Sequence, residues 1–367
     1  MASNPSLSSL VDPRLDQALD ATWSRLAERF EAVPEGDRLW PTVAGFLERS
    51  GKCIRPRLML GAWEAWSGRS PPDPLFPAAA ALEAFHAFLL IHDDVIDGSY
   101  QRRKGPALHR AIQGALGFTA ARAEHLAIVV GDVLFGFAGE RLLALADSLP
   151  ADRVNTAVRH FLSVSADTGL GEAAELMLQE AALDTVSADA IETVYVLKTA
   201  RYTFESPIRI GLLLADADDE AISGPLATFG RLTGLAFQAE NDLHEFRLEG
   251  TAAEALGYDL QCGVKTLVLK ETECALPADR KTLFLDHLAA LANGAGERDL
   301  QAVQGFVRES GAMQRLEDRI HHWLEDGAAT LLTLGDSPAR QNGLSALARL
   351  IRGKLHHSEA STSEADS

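Results

Sequence analysis

Apolar residues recur with the spacing of an α-helix along almost the whole chain, and this periodicity restricts the fold more than any other feature. In the first such segment, residues 13–32, one stripe is formed by Leu15, Leu19, Trp23 and Leu26. The composition agrees, because 47% of the residues are hydrophobic and only 7% are aromatic. Ala and Leu dominate the apolar set, and both lose little conformational freedom in a helix. We therefore predict an all-α protein.

The helical segments follow one another without a tandem repeat or a change in composition that would mark a domain boundary. Residues 13–353 are therefore predicted to form one large antiparallel helical bundle. Long helices are expected over residues 75–97, 188–214 and 298–334. The flanking segments, 1–12 and 354–367, are rich in Ser, Asp and Glu and are predicted to be disordered tails.

The formal net charge of −18 argues against nucleic acid or an anionic membrane as the main partner. The N-terminus lacks the residue order of a signal peptide, and charges interrupt every apolar stretch within about 18 residues, the minimum for a membrane span. Cys53, Cys262 and Cys274 have no metal-ligand spacing, so reduced thiols are expected. We expect a soluble, cytoplasmic protein without stable membrane insertion.

Three carboxylates, Asp93, Asp94 and Asp97, lie at the C-terminal end of the apolar helix predicted over residues 75–97. Asp93 and Asp97 are four residues apart and share a helix face, where like charges repel and the negative end of the helix dipole is unfavourable. Divalent cations would offset both effects, and all-oxygen ligands favour magnesium. An exposed acidic helix end without metal is the alternative, whereas the EF-hand calcium pattern is absent from the sequence.

Basic residues flank this acidic cluster on both sides in the sequence. Arg102 and Arg103 follow it directly, and Lys52 and Arg55 lie at an upstream loop-to-helix junction. Guanidinium groups beside a metal cluster suit a diphosphate, although surface ion pairs worth less than about 1 kcal/mol each are the alternative. His86 lies seven residues before the first carboxylate, on the same helix face, where a histidine is more often a core residue.

Several short motifs match one family in order, spacing and residue type. The earlier ones are Gly51-Lys52-x-x-Arg55-Pro56, Glu83-x-x-His86 and His92-Asp93-Asp94-x-x-Asp97-Gly98-Ser99-x-x-Arg102-Arg103. The later ones are Lys198-Thr199 and Phe237-Gln238, the second of which precedes an acidic stretch. Between residues 40 and 270 the chain thus resembles the trans-isoprenyl diphosphate synthases.

The resemblance implies a bundle of antiparallel helices around a central cavity, usually in a homodimer. It also implies a reaction that joins an allylic diphosphate to isopentenyl diphosphate. The allylic carbon–oxygen bond ionises, the isopentenyl double bond attacks the cation, and a proton is lost. Mg²⁺ ions, three by analogy with the family, would be held by two acidic motifs and would stabilise the leaving diphosphate. A dry apolar cavity would keep water away from the cation.

The resemblance also implies roles for individual positions. Metal would be bound by Asp93, Asp94 and Asp97. The allylic diphosphate would be bound by Arg102 and Lys198. Isopentenyl diphosphate would be bound by Lys52, Arg55, His86 and Arg103. The cation would be stabilised by Thr199 and Gln238.

The second acidic motif departs from the family pattern. Where the family has three aspartates, this chain has Asn241, Asp242 and Glu245, so that a neutral amide replaces one charged ligand. The Gly-Lys pair that follows in the family is also altered, because Val264 comes after Gly263 and the lysine is one place later. We expect weaker metal binding in this motif and a missing or displaced phosphate-contacting lysine.

The altered motif leaves two alternatives to a synthase open. Asn241, Glu245 and Glu249 are spaced i, i+4 and i+8, and this stripe resembles the metal triad of class I terpene cyclases. Together with Asp242 they are the candidate metal ligands of the second motif. A non-catalytic partner subunit of a prenyl synthase would also tolerate a degraded motif. We prefer the synthase because the four basic residues assigned to isopentenyl diphosphate remain, and a cyclase has little use for them.

In synthases of this kind, product length depends on side chains one and two turns before the first acidic motif. Phe88 and Phe85 lie five and eight residues before Asp93, and their rings resemble the cavity floor of short-chain synthases. We therefore expect a farnesyl or geranylgeranyl diphosphate product. Ordinary core packing by both rings, with the floor set elsewhere, is the alternative.

Overall fold

The computed structural model describes residues 7–49, 51–247, 260–294 and 296–356. The all-α prediction is confirmed, because strands in these residues are limited to one short antiparallel hairpin of β1 (Gln101–Arg102) and β2 (Gly105–Pro106). The α-helices, in chain order, are α1 (Arg14–Glu31), α2 (Gly36–Leu47), α3 (Ile54–Ser67), α4 (Leu75–Ile96), α5 (Leu108–Leu116), α6 (Ala120–Leu143), α7 (Ala151–Gln179), α8 (Ala188–Tyr195), α9 (Ser206–Leu214), α10 (Asp219–Arg247), α11 (Leu267–Ala275), α12 (Ala278–Ala292), α13 (Glu297–Ser310), α14 (Ala312–Leu332) and α15 (Pro338–His356).

Several helix ends form where the sequence supplies a capping residue. Thr119, Ser187 and Thr266 each precede a helix, and each hydroxyl accepts a hydrogen bond from a backbone N–H of the first turn. Gly68 and Gly117 end α3 and α5 with φ values of 69° and 68°, a left-handed conformation that glycine adopts without strain. The helix boundaries are therefore largely local properties of the sequence.

The chain divides into two compact units. The first comprises Met1–Leu162 and Pro207–Ala221, and the second comprises Ser163–Ser206 and Ile222–Ser367. The first contains the hairpin and the first acidic cluster, whereas the second contains Lys198, Thr199 and the residues of the second acidic motif. The prediction that residues 13–353 form one domain stays a prediction.

In the first unit, α4 is the central helix and packs against α1, α3, α5 and α6. Four consecutive alanines, Ala78 to Ala81, are almost completely buried, because small side chains let neighbouring helices approach closely. By length and composition α4 alone, among the described helices, could cross a membrane, but most of it is buried inside the protein, as in a core helix. The C-terminal end of this buried helix carries the first acidic cluster.

In the second unit, α11 packs against α8, α13 and α14, and α14 also packs against α15. Between α8 and α9 the chain forms a π-helical segment, Val196–Glu205. Such segments are rare and occur frequently at functional sites. The sequence predicts one continuous α-helix over residues 188–214, so the π-helical segment is a difference from that prediction.

Two further elements differ from the sequence predictions. The helix expected over residues 298–334 is divided into α13 and α14 by Gly311, whose φ of 70° lies in the left-handed region and ends the first helix. Part of the segment predicted as an N-terminal tail is ordered, since Ser8–Val11 form a 3₁₀-helix. The Ser8 and Ser9 backbone amides donate to the Glu64 carboxylate, which holds this turn against α3.

Candidate active site

The first acidic motif (Asp93, Asp94 and Asp97) occupies the last turn of α4 and its C-cap. The backbone N–H of Asp97 donates to the Asp93 carbonyl over 2.8 Å, which closes the helix. Asp94 is completely buried, and one oxygen of its carboxylate, Oδ2, has no hydrogen-bond partner among the described residues. Burial raises the pKa of Asp94, and hydrogen bonds from Arg102 only partly oppose this. A buried acceptor without a donor is a suitable ligand for a cation.

Arg102 in strand β1 is the basic partner of this motif. Its Nε donates to Asp94 Oδ1 over 2.8 Å, and its Nη2 donates to Asp93 Oδ2 over 3.3 Å. No three His, Cys, Asp or Glu side chains in the described part of the chain are close enough to surround one metal ion. Magnesium, however, is commonly held by one or two carboxylates together with water and substrate phosphates. The carboxylates present here fit that kind of site.

The hairpin aims its two arginines at different groups. Arg103 and Lys104 form its two-residue turn and have φ values of 52° and 60°, as a type I′ turn requires. Neither is glycine, so each position stores about 1 kcal/mol or more of backbone strain, a feature that clusters at functional sites. Arg49, two residues after the end of α2, donates to the carbonyls of Arg102 and Pro106, each over 2.8 Å. The Arg49 guanidinium thus holds both strands of the hairpin. It lies so close to Gly105 that a Cβ at that position would clash with the guanidinium.

The basic cluster comprises Arg55 at the start of α3, His86 in the middle of α4 and Arg103 in the hairpin, and Lys52 lies exposed in the loop just before α3. Arg103 donates to the Arg49 carbonyl over 3.0 Å and to His86 Nε2 over 3.1 Å. Burial, with the nearby charges of Arg55, Arg103 and Arg102, lowers the pKa of His86 well below its usual range. His86 is therefore neutral at physiological pH, and its Nε2 accepts a hydrogen bond from the arginine.

The rings predicted to limit product length belong to a larger aromatic cluster. Phe85 and Phe88 on α4 pack with Phe135 on α6 and Phe161 on α7. The centroids of Phe85 and Phe161 are 4.9 Å apart, and those of Phe88 and Phe135 are 5.3 Å apart. The sequence prediction missed the last two rings, because no local pattern distinguishes them from ordinary core phenylalanines.

In the second unit, α10 carries the second motif. Asn241 is exposed, whereas Asp242 is only 6% exposed and both its oxygens accept hydrogen bonds. Gln238 Nε2 donates to Oδ1 over 3.4 Å, and the Tyr195 hydroxyl donates to Oδ2. Glu245 lies in α10, but its side chain is outside the described structure, and Glu249 is outside the described residues altogether. The sequence prediction missed Tyr195, whose hydroxyl also accepts a hydrogen bond from the Leu267 amide over 3.0 Å.

Lys198 and Thr199 lie in the π-helical segment. The Lys198 ammonium pairs with the carboxylates of Glu172, over 2.8 Å, and of Glu175, both on α7. The Thr199 hydroxyl donates to Gln238 Oε1 over 3.4 Å, so the two residues predicted to stabilise a cation do meet. The segment is seated closely on its neighbours, since a Cβ on Gly171 would lie 2.5 Å from the Lys198 nitrogen and one on Gly234 would lie 1.9 Å from the Ala200 Cβ.

The lysine that comes one place late, Lys265, is held by main-chain carbonyls. Its ammonium donates to the Gln179 carbonyl at the end of α7 over 3.1 Å and to the Gly263 carbonyl over 2.5 Å. Burial lowers the pKa of Lys265. In this conformation the lysine stabilises a helix end, where unpaired carbonyls favour a cation.

An all-α protein with carboxylates at a helix end, an arginine-bearing hairpin beside them and a second basic cluster has the features of an isoprenoid synthase. The sequence model of the polyprenyl synthetase family matches residues 41–305, more than two thirds of the chain. The protein belongs to the polyprenyl synthetase family.

Relatives and solved structures agree with this membership. The chain is 31% identical over 264 residues to the short chain isoprenyl diphosphate synthase of Methanothermobacter thermautotrophicus, covering 70% of this chain and 73% of the relative. It is 27% identical over 337 residues to the geranylgeranyl diphosphate synthase of Methanosarcina mazei, covering 91% of each. Among solved structures, the geranylgeranyl pyrophosphate synthase of Corynebacterium glutamicum, complexed with isoprenyl diphosphate and magnesium, matches with a TM-score of 0.75 and 26% identity, over 92% of this chain and 96% of that one.

Proposed function

We propose that the protein is a short-chain isoprenyl diphosphate synthase, which joins an allylic diphosphate to isopentenyl diphosphate and depends on magnesium. The observation that carries this proposal is the arrangement of the hairpin arginines. Arg102 donates a hydrogen bond to the first acidic motif, and its neighbour Arg103 donates one to His86 in the basic cluster. A group of carboxylates that would bind one diphosphate through magnesium, and a basic group that would bind another directly, fit a reaction with two diphosphate substrates.

The first group suits the allylic diphosphate. Asp93, Asp94 and Asp97 would hold magnesium, and Asp94 Oδ2, buried without a hydrogen-bond partner among the described residues, supports that role. When bound, the metal would offset the negative charge that develops on the leaving diphosphate. Arg102, which donates to Asp93 and Asp94 in this structure, would donate to the diphosphate oxygens and neutralise part of their charge.

The second group suits isopentenyl diphosphate. Lys52 and Arg55 lie at the start of α3, and Arg103 faces the same region from the hairpin. Neutral His86 accepts from Arg103 and so holds one edge of that guanidinium, which leaves its planar fork pre-oriented for an anion. This cluster needs no metal, because three cationic side chains can balance most of the charge on one diphosphate.

The chemical step breaks the allylic carbon–oxygen bond and forms a carbon–carbon bond to isopentenyl diphosphate, after which a proton leaves with the released diphosphate. The chain's own groups would stabilise the allylic cation through oxygen lone pairs. The Thr199 hydroxyl donates a hydrogen bond to Gln238 Oε1, so the lone pairs of the threonine oxygen are available to the cation. Lys198 would contact the allylic diphosphate after exchanging its carboxylate partners for phosphate oxygens.

The aromatic cluster around Phe85 and Phe88 supports a short product. Four packed rings leave little room for a growing isoprenyl chain beyond α4. Farnesyl or geranylgeranyl diphosphate is therefore the proposed product. Relatives named as geranylgeranyl and geranylfarnesyl diphosphate synthases give additional support to a short-chain product over a cyclised one.

The protein is also proposed to act as a homodimer in the cytoplasm. Ile128, Val129 and Leu143 are exposed along α6, and apolar side chains grouped on one helix favour a protein–protein contact. The helix that is long and apolar enough to cross a membrane, α4, is mostly buried inside the protein.

The proposal is tested by incubating the purified protein with magnesium, isopentenyl diphosphate and labelled allylic diphosphates of increasing length. We expect labelled farnesyl or geranylgeranyl diphosphate, no product when isopentenyl diphosphate is omitted, and no product when EDTA is added. Asp147→Asn, at an exposed aspartate beyond the end of α6, is a matched control for changes in the first acidic motif. Hydrocarbon or alcohol formed without isopentenyl diphosphate would indicate a cyclase, and no turnover in any combination would indicate a partner subunit.

A further inference from the structure

A buried carboxylate on α4, Glu83, has no role in the functions described so far. It lies one turn before His86 and is only 5% exposed. Its Oε1 has no hydrogen-bond partner among the described residues. A charged oxygen in this situation is unfavourable unless nearby cations compensate it. Its surroundings therefore decide what it does.

Glu83 lines a small pocket together with Trp23, Phe46, Leu47, His86 and Arg103. The residues from α1 and α2 are apolar, so the charges that face Glu83 come from other elements. These are Arg55 and Arg57 on α3 and Arg103 in the hairpin. His86, on α4 itself, also lines the pocket and is neutral. Among the residues that line the pocket, Glu83 is the carboxylate and Arg103 is the cation.

The electrostatics of the pocket agree with that arrangement. Burial raises the pKa of Glu83, while the charges of Arg55, Arg103 and Arg57 lower it. In turn, burial and the neighbouring charges of Arg55 and Arg102 lower the pKa of Arg103, while Glu83 raises it. Two arginines of the basic cluster thus repel each other, and Glu83 attracts both.

We propose that Glu83 is a positioning residue for isopentenyl diphosphate, acting as the counter-charge that keeps Arg103 and Arg55 gathered beside α4. This inference rests on the proposed function. Arg103 is already held on two sides, by the Arg49 carbonyl and by His86 Nε2. Glu83 offsets the mutual repulsion that would otherwise separate the guanidiniums, so that both are in place before the substrate arrives.

The opposite effect is also physically possible, and the two have opposite signs. A carboxylate near an anion site repels a diphosphate, so removing its charge would tighten binding if Glu83 did not position the arginines. If Glu83 does position them, the same change weakens binding. Glu83→Gln preserves the shape of the side chain and removes only the charge, which separates the two cases.

The experiment compares KM values for both substrates and kcat in wild type and Glu83→Gln. We expect the KM for isopentenyl diphosphate to rise about tenfold, the effect of a lost charged interaction, while the KM for the allylic diphosphate changes by less than about twofold. Glu273→Gln is the matched control, because Glu273 on α11 is also buried, at 4% exposed, and pairs with Lys270 and Lys281. It should lower thermal stability and leave both KM values unchanged.

Calorimetric titration with inorganic diphosphate in the absence of magnesium tests the inference separately from turnover. Wild type should bind diphosphate more tightly than Glu83→Gln even if no product is ever detected. The absence of product would overturn only the proposed function. If Glu83→Gln does not fold, Glu83→Asp, which moves the charge away from the arginines, should weaken diphosphate binding relative to wild type, and unchanged or tighter binding overturns the inference. An unchanged or lower KM for isopentenyl diphosphate, or an equal rise for both substrates, overturns the inference.

Discussion

The first acidic motif and the second motif differ in how their carboxylates are used in the folded chain. In the first, one carboxylate oxygen of Asp94 accepts a hydrogen bond from Arg102, and the other is buried without a hydrogen-bond partner among the described residues. In the second, both oxygens of Asp242 accept hydrogen bonds, from Gln238 and Tyr195. Two aspartates that the sequence places in equivalent motifs thus have different local surroundings.

The carboxylates of an acidic motif can therefore be left to bind a ligand or can be hydrogen-bonded within the protein. A carboxylate oxygen without a hydrogen bond gains directly from a cation, whereas each oxygen of Asp242 already accepts one hydrogen bond and keeps one lone pair for a further partner. Two lysines of the second unit are also paired within the protein, Lys198 with two glutamates and Lys265 with two carbonyls. The role of Asp242 as a metal ligand stays a prediction, and its hydrogen bond with Gln238 also positions that residue and, through it, Thr199.

The largest effect is expected when the two aspartates are compared directly. Asp93→Ala should lower kcat about a thousandfold, because it removes a metal ligand that acts on the leaving group. Asp242→Asn should lower kcat only about tenfold, because it weakens the hydrogen bonds that orient a neighbour. Steady-state kinetics at saturating magnesium measures both. Equal losses at the two positions would contradict the distinction between ligand and positioning roles.

A pair of glycines in α10 tests the close seating of the π-helical segment. Gly234→Ala should lower the free energy of unfolding by about 1–3 kcal/mol, because its new methyl group would overlap Ala200. Gly224→Ala on the same helix meets nothing within 4 Å and should raise it by about 0.5–1 kcal/mol. Urea unfolding with circular dichroism measures both. If the two variants change stability in the same direction, the segment is not tightly clamped there.

His86 in the basic cluster predicts a pH dependence of folded stability. His86 stays neutral in the folded protein, while the unfolded chain binds a proton below about pH 6.5. Folded stability should therefore fall as pH drops through that value, by up to about 1.4 kcal/mol per pH unit, until His86 is protonated in the folded state as well. His86→Gln keeps an acceptor for Arg103 but cannot titrate.

We thus expect His86→Gln to gain stability relative to wild type as the pH falls from 7 to 5, in urea unfolding series at each pH. His125→Gln, at an exposed histidine on α6, is the matched control and should follow wild type. A constant difference between wild type and His86→Gln over this range would mean that His86 is not held neutral.

The last prediction concerns the aromatic cluster, where the readout is product identity. Phe88→Ala should lengthen the main product by one isoprenyl unit, because it removes the ring that packs on Phe135 beside the first acidic motif. Phe137→Ala, at a fully buried ring on α6 outside this cluster, should destabilise the protein without changing the product. An unchanged product from Phe88→Ala would place the limit of chain growth at other residues.

The sequence predicted the helices well because helix formation depends on local information. The apolar stripe, the capping residues Thr119, Ser187 and Thr266, and the glycines after α3 and α5 all act within a few residues. The helix of the first acidic motif was predicted within one residue of its observed end at Ile96. The break at Gly311 was missed although its signal, a glycine in a helical segment, was present.

The partners of the functional side chains were beyond the reach of the sequence. Tyr195 and Asp242 are 47 residues apart, and Glu83 meets arginines from α3 and from the hairpin. The Phe135 and Phe161 rings, likewise, join Phe85 from two other helices. None of these pairings follows a local period, so only the packing of helices against each other decides them.

The sequence by itself determined the class of fold, the order of the two motifs and the side chains available for a diphosphate, because helical periodicity and motif spacing are written in neighbouring residues. Only the tertiary structure shows which partners those side chains have within the protein. Asp242 and Lys265 are hydrogen-bonded within the protein, whereas one oxygen of Asp94 has no hydrogen bond in the described structure. Arg103 and His86 line the same pocket as Glu83. The physical reason is that most buried polar groups are hydrogen-bonded, and the partner comes from whichever helix the fold brings near.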